Sequence, residues 1–296
     1  SYLIFILFLA LLISVEIIGV LGKGASRWIH IFGFSIQPSE LMKVFIILAL
    51  AKYYHDLRFD NIGNPLFLLF PLIIIFLPAF FVLIQPDLGT AVSIVILGIA
   101  VLFTSGVKIW KFALGFLMTL VSIPFIWNVI KPYQKNRIIS FLNPESDPLG
   151  QGYQLIQSKI ALGSGGMTGK GFLKGTQSYL EYLPEKQTDF IFTMIGEEFG
   201  LAGTLFVLMI FVLIMLYCTI ISFLQSSQFS RLLCSGIVFM LFSYVFVNVG
   251  MVSGLLPVVG APLPLISYGG TALLSIMISF GFLLNIHIYD KIKNFN

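Results

Sequence analysis

The chain has 296 residues, 58% of them apolar and only 10% charged, against roughly 25% charged in a soluble domain. With 30 phenylalanines and a mean hydropathy of +0.99, it has too little polar side chain to clothe a water-soluble globule. This excludes a soluble enzyme, an extracellular disulfide scaffold and a disordered tail. The net charge of +4 is spread over loops and supports no nucleic-acid surface, and Cys218 and Cys234 lie inside apolar runs as small core residues.

Apolar runs that can cross about 30 Å of hydrocarbon as helices occur at about 2–22, 38–54, 65–84, 88–106, 110–131, 198–224, 232–256 and 268–289. They predict an all-α fold, a polytopic transmembrane helix bundle of eight spans, and they are too long for the strands of an outer-membrane barrel. Pro78 and Pro124 fall within two spans and read as packing kinks, because neighbouring helices can re-satisfy the freed carbonyls. The chain opens at Ser1 directly into a span without an initiator Met, so the expectation is one integral membrane domain over 1–296 that is incomplete at its N-terminus. Lys52, Arg58, Lys108, Lys111, Arg231, Lys291 and Lys293 gather on one set of short loops, against Lys23 and Arg27 on the other. The first set is expected in the cytoplasm, which leaves the stretch 132–188 as a long extracytoplasmic loop; loops of that length translocate whatever their charge.

A loop of this length without function is uncommon. Asn143-Pro-Glu-Ser-Asp-Pro148 reads as a turn. Tyr153, Ile156 and Ile160 then recur at helical spacing opposite Gln154, Gln157 and Ser158, predicting a short amphipathic helix at the membrane interface. Eight glycines between Gly150 and Gly175, interleaved with Lys159, Ser164, Thr168, Lys170 and Lys174, fit either a flexible linker or backbone that cradles an anion.

Ionisable residues inside spans are functional candidates by default. Glu16, near the outer end of the first span, can snorkel to the interface. Glu40 and Lys43 stack at i,i+3 near the outer end of the second, as a structural ion pair or as the wall of a site. Thr188 reads as the cap, and Asp189 as the first-turn carboxylate, of a helix running to residue 224. Capping alone would explain both. Such a helix is about 54 Å long, however, which lifts Asp189 to the outer surface. Glu197 and Glu198 sit deeper on it. Asn248, Gly250, Ser253, Gly254 and Gly260, broken up by Pro257, Pro262 and Pro264, read as irregular backbone lining a buried or watery cavity.

Six motifs carry a family resemblance: Gln37-Pro-Ser-Glu40, Gln85-Pro-Asp-Leu-Gly-Thr90, Asn143-Pro-Glu-Ser-Asp-Pro-Leu-Gly150, Gly152-Tyr-Gln-Leu-Ile-Gln-Ser-Lys-Ile-Ala-Leu-Gly-Ser-Gly-Gly166, Leu183-Pro-Glu-Lys-Gln-Thr-Asp-Phe190 and Pro262-Leu-Pro-Leu-Ile-Ser-Tyr-Gly-Gly270. In this order, and essentially from end to end, they resemble the SEDS family of bacterial cell-wall polymerases, the elongation subgroup (RodA) more than the division subgroup (FtsW). Relative to that family's roughly ten spans, the chain matches from the third onward, and Gln187 stands where the family usually has His. The resemblance implies peptidoglycan glycosyl transfer. The 4-hydroxyl of lipid II would attack the sugar C1 of a growing strand and displace polyprenyl pyrophosphate.

The resemblance also implies Asp189 as general base, with Glu40 and Lys43 beside the same cavity. Gln154, Ser158, Lys159 and Thr188 would be substrate contacts, and Lys159 or a divalent cation (Mg or Mn) would neutralise the pyrophosphate. No His/Asp cluster in the sequence specifies a metal site. The implied partners are the nascent glycan strand, membrane lipid and a class B penicillin-binding protein (a transpeptidase), with no nucleic acid. The implied location is the bacterial cytoplasmic membrane, with the site facing outside. Two alternatives stay open: a lipid II flippase or transporter, and a non-enzymatic scaffold for the transpeptidase.

Overall fold

The computed structural model describes residues 1–22, 25–31, 33–148, 150–179, 183 and 185–295. Lys23, Leu149 and Pro184, which entered the orientation and motif readings, lie outside the described residues. In chain order the elements are α1 (Tyr2–Ile18), β1 (Val20–Gly22), β2 (Ala25–Ile31), β3 (Phe34–Ile36), α2 (Pro38–Asp56), α3 (Pro65–Ile84), α4 (Leu88–Thr104) and α5 (Ile109–Val129), followed by α6 (Pro132–Leu142), α7 (Gln151–Ser164), α8 (Thr176–Tyr179), α9 (Ile191–Leu224), α10 (Gln228–Val252) and α11 (Gly270–Phe295).

Each expected span is a helix, and the body of the chain is helical as predicted. Among the described residues α3, α9, α10 and α11 are long and apolar enough to cross a membrane by length and composition, and α1, α4 and α5 contain shorter apolar helices. The first expected span, 2–22, ends early: α1 stops at Ile18, and residues 20–22 enter a three-stranded antiparallel sheet in the order β1-β2-β3. Trp28 lies opposite Val20, and His30 opposite Ser35, with Gly33 at φ 84 in the turn between β2 and β3. The alternation of β-branched and aromatic residues in Arg27-Trp-Ile-His-Ile31 favours strand over helix.

The chain forms two compact units. The first comprises Ser1–Phe112, Met215–Ser243 and Gly270–Asn296; the second comprises Ala113–Ile214 and Tyr244–Gly269. In the first, α2 is the central element. It is buried almost throughout, with Met42, Val44, Ile46, Ile47, Leu50 and Tyr54 at 0% exposure, and it packs against α1, α3, α4 and α11. Pro38 at its first position lets the helix begin directly after β3 and Gln37.

In the second unit α7 is capped from upstream. Asp147 Oδ2 accepts from Ser140 Oγ at 3.1 Å and from the Gln151 N–H at 2.9 Å, which ties α6, the Asn143–Pro148 turn and α7 together. The buried stripe of α7 is Gly152, Leu155, Ser158 and Ala161, while Ile160 is 48% exposed. The expected apolar face through Tyr153, Ile156 and Ile160 is thus not the face buried within the protein, Tyr153 and Ile156 being half-buried. Leu155 is flanked on this face by the small Gly152, Ser158 and Ala161, and α7 approaches neighbouring backbone closely there: a Cβ at Gly152 would fall 2.2 Å from Pro144 O.

The single helix expected up to residue 224 is interrupted. Gly200 adopts φ 65 and ψ −159, so α9 is a short helix above a break and a longer one from Leu201 to Leu224.

Candidate active site

Residues 185–190 form the turn that leads into α9. The Thr188 and Phe190 N–H groups both donate to Glu185 O at 3.2 Å, and Phe190 is 1% exposed. Asp189, half-buried, sits on this turn. Three successive carbonyls of the turn are held from outside it. Gln187 O accepts from the Tyr268 N–H at 2.9 Å, Thr188 O from Ser267 Oγ at 2.5 Å, and Asp189 O from Asn248 Nδ2 at 2.9 Å. Asn248 is fully buried and also donates to Ala261 O at 2.6 Å, while Ser267 Oγ accepts from the Leu263 N–H at 2.7 Å. The backbone carrying Asp189 is thus held by Asn248 of α10 and by the proline-rich segment that follows it, through hydrogen bonds to three successive carbonyls.

The same segment touches two candidate side chains. A Cβ built at Gly260 (φ 74) would lie 3.2 Å from Asp189 Oδ2, and one at Gly254 (φ 76) would lie 2.0 Å from Lys159 Cε. The left-handed backbone favours glycine at 254, and the flexible end of the Lys159 side chain lies across it. The structure therefore places Asp189 and the exposed Lys159 each beside a glycine of this segment.

Two other candidates take different roles. Thr188 does not cap a helix: its hydroxyl donates back to Glu185 Oε2 at 3.0 Å, and α9 begins at Ile191. Ser158 is no substrate contact. It is 0% exposed, donates to Val252 O at 2.6 Å and shares a 3.0 Å hydrogen bond with the fully buried Thr193, so it fastens α7 to α9 and to the end of α10. Gln154 is half-buried on α7.

The glycine-rich connection meets the break in α9 backbone to backbone. Glu197 O and Glu198 O accept from the N–H groups of Lys170 (3.0 Å) and Gly171 (2.9 Å), and the Leu201 and Ala202 N–H groups donate to Gly166 O (2.9 Å) and Met167 O (3.1 Å). A helix break leaves such groups without intrahelical partners, and inside a membrane protein they must find others. At least two of the amides considered for anion binding, those of Lys170 and Gly171, are therefore committed to the break. Close approach explains two of the glycines: a Cβ at Gly165 would fall 1.9 Å from Gly196 O, and one at Gly169 2.1 Å from Glu198 O. Glu197, 0% exposed, reinforces the joint by accepting from Lys170 Nζ at 2.7 Å, Thr176 Oγ1 at 3.0 Å and the Gln177 N–H at 3.1 Å.

In the first unit Glu40 and Lys43 form a buried ion pair at 2.7 Å, with side chains 7% and 5% exposed. Close by in sequence, Gln37 Nε2 donates to Asp87 Oδ2 at 3.2 Å and the Gln37 N–H to Thr271 Oγ1 at 3.1 Å. Asp87 caps α4 by accepting from the Thr90 N–H at 3.2 Å and its hydroxyl at 2.9 Å. Arg27 on β2 donates to Gln85 O and Pro86 O. Gln37 and Asp87 entered the sequence reading only as motif letters; the Asp-x-x-Thr cap signature was the signal available for the latter. Among the described residues no three His, Cys, Asp or Glu side chains cluster where they could hold a metal ion.

Comparison with known proteins adds the following. The family model described as cell cycle protein FtsW/RodA/SpoVE matches residues 1–292. The chain is 44% identical over 292 residues to the peptidoglycan glycosyltransferase MrdB of Escherichia coli (strain K12), covering 97% of this chain and 78% of that protein. A solved structure titled for the structural coordination of polymerization and crosslinking by a peptidoglycan synthase complex superposes with a TM-score of 0.81 at 30% identity, covering 97% of this chain and 80% of that one. The rod shape determining protein RodA of Thermus thermophilus gives a TM-score of 0.69 at 26% identity, over 97% of this chain and 77% of that one.

Proposed function

The chain belongs to the FtsW/RodA/SpoVE family of cell cycle proteins and is a multi-pass membrane peptidoglycan glycosyltransferase; we propose that Asp189 is its general base and lipid II its acceptor substrate. The carboxylate takes the proton from the 4-hydroxyl of lipid II as that oxygen bonds to the sugar C1 of the growing strand. The bond from C1 to the polyprenyl pyrophosphate breaks, and the pyrophosphate leaves with the electron pair. Lys159 supplies positive charge to the leaving group. The observation that carries this reading is the clamp on the Gln187, Thr188 and Asp189 carbonyls, which fixes the carboxylate's origin before substrate arrives. Geometry set in advance is what a base needs to meet a hydroxyl in line.

Glu40 and Lys43 are proposed to act in the same reaction, a buried charge pair in a membrane protein being rarely kept without use. A divalent cation (Mg or Mn) bound with the pyrophosphate would add positive charge there; among the described residues no three His, Cys, Asp or Glu side chains gather to hold one. The further proposals are a location in the cytoplasmic membrane with Asp189 on its outer face, and a class B penicillin-binding protein as partner. The similarity to a complex titled for both polymerization and crosslinking supports that partner.

The test is reconstitution with the cognate transpeptidase and labelled lipid II, comparing the chain with Asp189→Asn on a product gel. Polymer from the unmodified chain alone supports the reading. Polymer from both would remove Asp189 from the role of base. A scaffold would make none with either.

A further inference from the structure

The tip of the glycine-rich connection carries three large apolar side chains in the open: Met167 is 71% exposed, Phe172 68% and Leu173 72%. We infer that this tip is a membrane anchor, seated in the lipid of the leaflet on the Asp189 side.

Its depth is set by hydrogen bonds. Gly166 O and Met167 O accept from the Leu201 and Ala202 N–H groups, the first residues of the long part of α9. That part, from Leu201 to Leu224, is about 36 Å long at 1.5 Å per residue, against a hydrocarbon core of about 30 Å. Leu201 is therefore within a few ångströms of the hydrocarbon edge, and so is the tip pinned to it. The apolar surface is also continuous. The Phe172 and Phe199 rings lie 6.2 Å apart between centroids, and Phe199 and Leu201 are each 45% exposed at the head of the apolar stripe that α9 presents along its candidate span. Lys174, exposed beside the tip, suits the phosphate layer above the acyl chains. In water the three side chains would be costly to leave uncovered, and Leu173 holds its position with a left-handed backbone (φ 59). The chemistry that accepts them at this depth is lipid.

The experiment places a nitroxide label at Phe172→Cys and, separately, Leu173→Cys, with the buried Cys218 and Cys234 replaced by Ala. The full chain is reconstituted in phosphatidylethanolamine/phosphatidylglycerol vesicles. Broadening by oxygen, which partitions into lipid, is compared with broadening by a water-soluble nickel chelate. Leu205→Cys, on the exposed face of the span, is the lipid reference, and Glu145→Cys, exposed and polar, is the water reference. The anchor predicts that labels at 172 and 173 lose nickel broadening and gain oxygen broadening to the level at 205. Labels that behave like the one at 145 overturn it. Labels that reach water in the vesicle and are shielded from both reagents only when the transpeptidase is added also overturn it, because the tip is then a protein dock.

Discussion

Replacing Gly165 by alanine separates the structure's account of the glycine-rich connection from what helix propensity says. Gly165 ends α7 with φ −71 and ψ −23, ordinary helical values, so propensity alone expects alanine to stabilise by up to about 1 kcal/mol. The structure reverses the sign. The added Cβ would fall 1.9 Å from Gly196 O, 2.9 Å from Gly196 C and 3.1 Å from Glu197 Cα. Relief needs the two backbones to part by roughly 1 Å or more, enough to stretch the bonds from the Lys170 and Gly171 N–H groups, now 3.0 and 2.9 Å, out of range. Two buried hydrogen bonds at about 1 kcal/mol each, with overpacking strain of about 1–3 kcal/mol, outweigh the propensity gain and leave a net loss of about 2–4 kcal/mol. The control is Gly163→Ala in the same helix, where nothing lies within 4 Å of the new Cβ. Both variants are heated in one detergent, and the monodisperse fraction is followed by size exclusion. A Gly165→Ala protein as heat-resistant as Gly163→Ala would refute the close contact at the break.

Asn248→Leu removes the donor to two carbonyls, Asp189 O and Ala261 O, and should lower thermal stability by about 2 kcal/mol or more. It should also cut glycan polymerisation on the product gel, and Ser267→Ala, which loses both the bond to Thr188 O and the one accepted from the Leu263 N–H, should do so too. Glu197→Gln keeps an oxygen for Thr176 and Gln177 but discharges the pair with Lys170. Because Lys170 is 27% exposed and its ammonium can reach water, the loss should be modest, about 1 kcal/mol, and largely absent in a Glu197→Gln/Lys170→Met double variant. Glu40→Ala leaves the Lys43 ammonium buried without this counter-charge and should destabilise by about 3–5 kcal/mol, with Lys43→Met restoring stability in the double variant. If the pair serves the reaction, polymerisation stays low in that rescued double variant; normal rates there would make the pair structural.

Most of the helical framework was legible because lipid imposes one solution on the backbone, and that solution leaves long apolar runs in the sequence. The strands at 20–36 were not, because the run through Val20, Leu21 and Gly22 is as apolar as the helix before it, and only its pairing with β2 reveals that the chain has changed its geometry. Asp189 was singled out by its place before the long helix and by the family resemblance, Lys159 by cations interleaved with glycines and the same resemblance, and the segment 248–270 by clustered proline and glycine. The glycines of the connection were ambiguous for a physical reason: backbone that cradles an anion and backbone that cradles another backbone need the same missing side chain. What decides between them at Gly165 is Gly196 O, on an element some thirty residues away in the chain. Ser158 failed as a substrate contact for a related reason, since a hydroxyl on a helix face looks the same in sequence whether it meets a ligand or the carbonyl of Val252.

The break at Gly200 also bears on tilt. Left continuous, the 34 residues of α9 would make a rod of about 51 Å that could fit a core of about 30 Å only by leaning at roughly 50°, outside the usual range for spans. Divided at Gly200, the part from Leu201 onward relieves its hydrophobic mismatch at roughly 30°, an ordinary inclination. The residues above the break then leave the bilayer along their own axis. The direction in which Asp189 is presented is thereby uncoupled from the angle at which its helix crosses the lipid.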